Sequence, residues 1–173
     1  MKLKKFNFKV INSTNDTAIR LIKNLNHSSG IIIADQQKKG RGQYGNNWKS
    51  FKGNLFVSIF FNLDKINLSL ANMTKINCQL IKKLLTHYYK KNITIKKPND
   101  LLIKKKKISG ILQETLVKSG KTFIIVGIGI NLVKSPKIRN YPTTNLLTLT
   151  RTKIKKKDVI LRLIKIYEKF ITK

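Results

Sequence analysis

The chain is 173 residues long and carries 37 Lys and Arg against 7 Asp and Glu, a formal net charge of +30. Hydrophobic residues make up 41% of it, enough for one ordinary folded core and too many for a charge-driven disordered chain. A single cysteine, Cys78, excludes an intramolecular disulfide, no run approaches a membrane span, and the basic N-terminal MKLKKFNFKV lacks the continuous apolar stretch of a signal peptide, so a cytoplasmic location is expected.

In chain order, Phe6, Phe8 and Val10 alternate with polar residues and predict a first strand. Ser13-Thr14-Asn15-Asp16 then offers N-cap chemistry ahead of Ala18, Leu21, Ile22 and Leu25, which recur at helical spacing. Gly30 closes that unit, and residues 31–34 (IIIA) read as a buried strand. Residues 38–53, rich in Gly, Lys, Asn and Gln, make a long loop of the kind that is commonly functional or mobile. Residues 55–61 (LFVSIFF) form a β-branched and aromatic strand. Residues 68–89 hold the longest helix, with Leu70, Met73, Ile76, Leu80, Ile81 and Leu84 to one side and Cys78 as a packing residue among them. Ile93 and Ile95 mark a short strand that stops at a Pro98-Asn99-Asp100 turn. Residues 101–103 and 108–116 flank the lysine run 104–107 as a hairpin with a lysine tip. A buried strand over 123–126 runs into Gly127-Ile128-Gly129-Ile130-Asn131, and after a polar connection an amphipathic helix over 158–171 closes the chain. No internal repeat is present. The fold class is α+β, one mixed sheet with helices packed against it.

Four constellations could carry chemistry. Gly40-Arg41-Gly42-Gln43-Tyr44-Gly45 lets backbone approach a ligand closely and adds a guanidinium suited to carboxylate or phosphate. It is neither a Walker A loop nor a dinucleotide fingerprint, and taken alone it reads as a flexible surface loop. Lys96-Lys97-Pro98-Asn99-Asp100 places an amide and a carboxylate on a turn, and the following hairpin brings Lys107 back toward the same sheet end. Asp100 and Glu114 stand out as two of only 7 acids. Alternating Gly127 and Gly129 would let a ligand or a second backbone lie on the sheet, or mark a bulge. Ser13-Thr14-Asn15 fits a simple helix cap equally well.

In this order and spacing, the segments STN at Ser13, ADQQKKGRGQYGNNW from Ala34, GNLFVS from Gly53, KKPND from Lys96, KISGILQE from Lys107 and GIGINL from Gly127 resemble the catalytic domain of biotin–protein ligases, a class II aminoacyl-tRNA synthetase-like superfamily. The resemblance spans residues 6–172 and implies a largely antiparallel biotin/lipoate protein ligase sheet. It also implies one catalytic domain over 1–173, with the N-terminal winged helix and C-terminal SH3-like domain of many relatives absent. The reaction implied is ATP-dependent biotinylation of a lysine on the biotin carboxyl carrier protein of acetyl-CoA carboxylase, through biotinyl-5′-adenylate, with Mg²⁺ assisting.

Carried over residue by residue, the resemblance makes Lys107, Arg41 and Asp100 the catalytic residues. Lys107 would contact the biotin carboxylate and Arg41 would lie over the adenylate. Asp100 would orient the acceptor lysine or help with metal. Ser13, Thr14, Asn15 and Gln37 would hold the ureido head of biotin, Gly42 and Gln43 would complete the biotin loop, and Asn131 with the glycines before it would lie on the nucleotide side. Trp48 would cover part of the ligand once the loop orders. No residue is assigned as a metal ligand. Gln43 stands where many members carry Arg, and Lys97 replaces the usual Trp before Pro-Asn-Asp. No specific DNA binding or membrane association is expected, and dimers occur in the family.

Three other readings stay open, one of them a decayed member of the family that binds biotin without turnover. A lipoate-type ligase or acyltransferase would share the fold and modify a different carrier, although the GRGxxG loop and KISG segment favour biotin. A basic nucleic-acid-binding module would use the charge itself. However, the basic residues are 32 Lys and only 5 Arg, accompanied by 25 Ile and 17 Asn. Lys, Ile and Asn share A/T-rich codons, whereas phosphate grips favour the bidentate fork of Arg. Coding bias therefore accounts for the charge better than a polyanion partner does.

Overall fold

The computed structural model describes residues 2–172 apart from 65, 67 and 140. Its elements are β1 (Lys4–Ile11), α1 (Thr14–Leu25), β2 (Ser29–Gln37), a 3-10 turn (Gln43–Gly45), β3 (Leu55–Asn62), α2 (Leu70–Tyr88), β4 (Thr94–Lys96), β5 (Asp100–Ile103), β6 (Lys106–Lys118), β7 (Lys121–Ile130), α3 (Leu146–Thr150) and α4 (Lys156–Ile171). The strands form one sheet in the order β1-β2-β3-β7-β6-β5-β4. Among the described residues, β1 and β2 pair in parallel and the other neighbouring strands pair antiparallel, as the α+β reading expects.

Two-residue periodicity divides the sheet into unlike faces. Ile124, Val126, Ile128 and Ile130 of β7 join Leu55, Val57, Ile59 and Phe61 of β3 in the larger core, closed by Met73, Ile81 and Leu85 of α2 and Val159, Leu163 and Tyr167 of α4. On the opposite face, Phe123 and Ile125 pack with Ile32 and Phe60 beneath Ala18, Leu21 and Ile22 of α1. The next residues of β7 on that face are Gly127 and Gly129, so the apolar packing ends there and leaves room above the sheet.

Local chemistry sets the boundaries. Ser13 caps α1 by accepting from the Asp16 N–H at 3.3 Å, and Ser69 caps α2 by accepting from the Asn72 N–H at 3.3 Å, which starts that helix at Leu70 instead of residue 68. Asn26, in the left-handed region at φ 52°, ends α1, so Gly30 lies inside β2 and does not terminate the helix. The lysine tip is narrower than the sequence suggests. Lys104 and Lys105 both take positive φ as a two-residue turn, and β6 starts at Lys106. Asp100 opens β5, and α3 forms within the connection read as merely polar.

A polar chain that runs from the core to the surface ties the helices of the larger core together. The Tyr167 hydroxyl donates to Asn77 Oδ1 at 3.0 Å, Asn77 Nδ2 donates to Gln113 Oε1 at 2.9 Å, and Gln113 Nε2 donates to the Leu70 carbonyl at 3.0 Å. Burial drives the Tyr167 phenol well above its ordinary pKa, so it remains a donor. Tyr167→Phe leaves Asn77 Oδ1 without that donor and should lower the unfolding free energy by about 1–2 kcal/mol. The urea midpoint checks this, and an unmoved midpoint would show that the hydroxyl contributes nothing.

Candidate active site

A cleft of about 590 Å³ opens above the glycine stretch of β7. Its walls come from the first turn of α1, the loop after β2, the turn before β5, strand β6 and the chain that follows β7. Gly110 of β6 lies directly opposite Gly129 of β7, and Leu112 lies opposite Gly127. A Cβ on Gly127 would collide with the Asn15 amide, and one on Gly129 would collide with the Trp48 indole. The absent side chains are what let these two groups reach the sheet.

At one end Ser13, Thr14, Asn15 and Gln37 are uncharged and rich in donors and acceptors, with Glu114 behind Asn15. Thr14 donates through its N–H and its hydroxyl to Gln37 Oε1 at 2.8 and 3.1 Å. Asn15 accepts from the Ser58 hydroxyl and donates through Nδ2 to Glu114 Oε2 at 2.6 Å and to the Leu112 carbonyl at 3.3 Å. Ser13, Thr14 and Asn15 are all buried. Ser13 is therefore both a helix cap and a cleft residue, so the two sequence readings coincide.

At the other end sits Lys107. Register explains why it points into the cleft. Leu101 faces Ser109 but Leu102 faces Lys107, so Ile108 is an extra residue in β6. Without that bulge, Lys107 would share a face with Ser109 and Ile111, toward the larger core. With it, Ile108 joins the core and Lys107 turns to the cleft face. Its ammonium lies 2.8 Å from Asp100 Oδ1 and 5.4 Å from the ring centroids of both Trp48 and Tyr141.

The loop after β2 is folded, not open. Gly42 N–H donates to the Asn46 carbonyl at 2.7 Å, Trp48 N–H donates to the Gly40 carbonyl at 2.8 Å, and Arg41 bridges to Asn47. Gln43 begins its tight turn, with Tyr44 at the tip at φ 55° and 90% exposed. Arg41 forks onto both oxygens of Glu114 at 2.9 and 2.8 Å and reaches Asp16 at 2.7 Å. Partial burial opposes its charge, but Glu114 and then Asp16 outweigh that and hold the guanidinium above its ordinary pKa. These pairs are solvent-accessible, so they orient Arg41 more than they stabilise the fold. Trp48 already lies on the glycine floor, and its buried Nε1 has no hydrogen-bond partner among the described residues.

Asn131 ends β7 in a buried network. It donates to the Thr144 carbonyl at 3.1 Å and lies beside Asn54, whose Oδ1 accepts from the N–H groups of Leu132, Val133 and Lys134. Ser13, Thr14, Asn15, Gln37, Arg41, Gly42, Gln43, Asp100, Lys107 and Asn131 therefore line one cleft, whereas Glu114 lies behind it against Asn15 and Arg41. Gly127, read with the nucleotide side, lies beneath Asn15. Reading the residues alone did not reveal the roles of Asp16, Ser58 and Tyr141. Asp16 could have been flagged as one of 7 acids, whereas Ser58 and Tyr141 carry no local signal.

Comparison with known proteins agrees with this layout. The sequence profile of the Biotin/lipoate A/B protein ligase family matches residues 7–131. The bifunctional ligase/repressor BirA of Escherichia coli is 33% identical over 125 residues, covering 71% of this chain and 39% of that protein. The biotin–[acetyl-CoA-carboxylase] ligase of Paracoccus denitrificans is 30% identical over 127 residues, covering 72% of this chain and 52% of that protein. The chain thus spans about half or less of these relatives' lengths. The biotin protein ligase of Aquifex aeolicus in complex with biotin and ATP superimposes with a TM-score of 0.82 at 27% identity, over 98% of this chain and 70% of that one.

Trp48 is the only tryptophan in the chain, which makes the glycine floor directly testable. Gly129→Ala should push the indole off the sheet and shift its fluorescence emission to longer wavelength, with the far-UV circular dichroism unchanged. Emission identical to the parent's would show that the floor tolerates a methyl group.

Proposed function

Starting from the fact that the chain belongs to the biotin/lipoate A/B protein ligase family, we propose that it attaches biotin to a lysine of a carrier protein at the expense of ATP, through biotinyl-5′-adenylate. One observation carries this reading: the cleft holds a neutral polar cluster at Thr14, Asn15 and Gln37, bordered by the Arg41–Glu114 pair, and an ammonium at Lys107 at its other end. That polarity suits a ligand with a neutral ureido head and an anionic carboxylate tail. The carrier implied is the biotin carboxyl carrier protein of acetyl-CoA carboxylase, and a cytoplasmic setting fits. We also propose that the 173 residues work as one catalytic unit.

In the first step, the biotin carboxylate oxygen attacks the α-phosphorus of ATP, and the bond to the β-phosphate oxygen breaks to release pyrophosphate. Two anionic groups must meet, so fixed cations dominate the barrier. Lys107 neutralises the carboxylate, and Arg41 exchanges a carboxylate partner for the phosphate. Ser13, Thr14, Asn15 and Gln37 hold the ureido ring, Gly42 and Gln43 close the biotin loop, and Asn131 fixes the wall on the nucleotide side. In the second step, the carrier amine attacks the carbonyl carbon, loses its proton, and expels AMP. Asp100 orients that amine through Oδ1 once Lys107 has turned to the substrate. Trp48, already on the floor, shields the mixed anhydride from water.

Among the described residues, no group of three His, Cys, Asp or Glu side chains could cage a metal ion, and Asp100 is engaged by Lys107 and Tyr141. Mg²⁺ enters this reading as part of the Mg·ATP substrate, an ion held by phosphates, waters and one or two carboxylates and not by a protein cage.

Biotin-dependent exchange of labelled pyrophosphate into ATP tests the first step on this chain. The parent should exchange, and Lys107→Ala should lose about a hundredfold or more of the rate while keeping its thermal midpoint. Exchange at the parental rate would remove Lys107 from its role. Mass spectrometry of the carrier after incubation with ATP and either biotin or lipoate should give the biotinyl product. A lipoyl product would assign the chain to the other branch of the family.

A further inference from the structure

Tyr141 lies in the segment between β7 and α3, outside every motif above, yet it touches both charged groups at the cationic end of the cleft. Its hydroxyl donates to Asp100 Oδ2, which leaves Oδ1 of the same carboxylate facing the Lys107 ammonium at 2.8 Å. Its ring centroid lies 5.4 Å from Lys107 Nζ and 4.4 Å from Lys96 Nζ. The segment that carries it is bound to the backbone of Lys107 itself. Lys107 N–H donates to the Pro142 carbonyl at 2.8 Å, and Thr144 N–H donates to the Lys107 carbonyl at 2.9 Å. Tyr141 and Lys107 are therefore placed as one unit.

We propose that Tyr141 is a positioning residue whose hydroxyl holds one oxygen of Asp100, so that the other orients the Lys107 ammonium without chelating it. This inference rests on the ligase reading. A carboxylate with both oxygens free can turn and grip an ammonium, and that closed pair competes with the carboxylate of an incoming substrate. A phenol that donates to one oxygen spreads the charge and stops the turn. The ring faces supply a second, weaker hold on the cation, one that leaves its N–H groups available. Burial, and then the hydrogen bond and charge of Asp100, hold the phenol well above its ordinary pKa, so it keeps its proton across the working range.

The groups that face Asp100 are Lys107 from β6, Tyr141 from the connecting segment and Cys78 from α2, with Lys96 reaching the far ring of Tyr141. Burial, reinforced by Asp100, pushes the Cys78 thiol up to about 11, so it stays neutral. Lys107 and Tyr141 are thus the partners that set the behaviour of Asp100.

Tyr141→Phe keeps the ring and removes only the hydroxyl. The expected result in pyrophosphate exchange is about a tenfold fall in kcat/KM for biotin, carried mainly by KM, the lower end for one charge-assisted hydrogen bond. In an Asp100→Asn background the same substitution should change nothing further. Parental kinetics, or a full additional loss in that background, would overturn the proposal. A readout free of activity is the ¹⁵N resonance of the Lys107 ammonium, assigned through Lys107→Arg, which should shift in Tyr141→Phe. An unmoved resonance would also overturn it, whereas a parent that fails to exchange with biotin yet shows the shift would count only against the ligase reading.

Discussion

The extra residue at Ile108 in β6 decides which side of the sheet receives a positive charge, and the cleft depends on that decision. In an unbroken strand, Lys107 would point with Ser109 and Ile111 into the core beneath α2 and α4. An ammonium there would lack water and a carboxylate, at a cost of several kcal/mol. The bulge gives that place to an isoleucine and turns the lysine toward Asp100. The same irregularity frees the Lys107 backbone to bind the segment carrying Tyr141. One local break in periodicity therefore brings the cation to its carboxylate and to the wall beside them.

The distribution of the few acids gives the large positive charge its meaning. Three of the 7 acids, Asp16, Asp100 and Glu114, gather at the cleft, where they pair with Arg41 and Lys107. Surface lysines elsewhere need no partner, since water solvates them at little cost. In a chain with so few carboxylates, their concentration here is the more informative signal. Each one aims a cation that would otherwise sample many rotamers. The +30 total is then background against which these placements stand out.

Much of this was legible from residue patterns. The alternation of Phe6 and Phe8, the apolar run 55–61 and the helical spacing after Ser13 are governed by short-range sterics and burial, so each predicted element formed near its expected place. Ser13 to Asn15, Gln37, Arg41, Asp100, Lys107 and Asn131 were also recognisable, because their motifs stand in a particular order along the chain. What could not be read were partners distant in sequence. The Asn15–Glu114, Arg41–Asp16 and Tyr141–Asp100 contacts join segments whose spacing carries no code for their meeting. The bulge was equally invisible, since the lysine run 104–107 gives no sign of where the turn ends and the strand begins.

Local sequence by itself determined the strands, the capped helices, the glycines of the cleft floor and the family to which the motifs point. Those outcomes follow from backbone freedom, capping and apolar spacing, which act over a few residues. The tertiary structure alone decided that Lys107 faces the cleft, that Trp48 rests on Gly129, and that Tyr141 reaches Asp100. These are matters of register and of chain segments brought together across the sheet, and no interaction between neighbouring residues contains them.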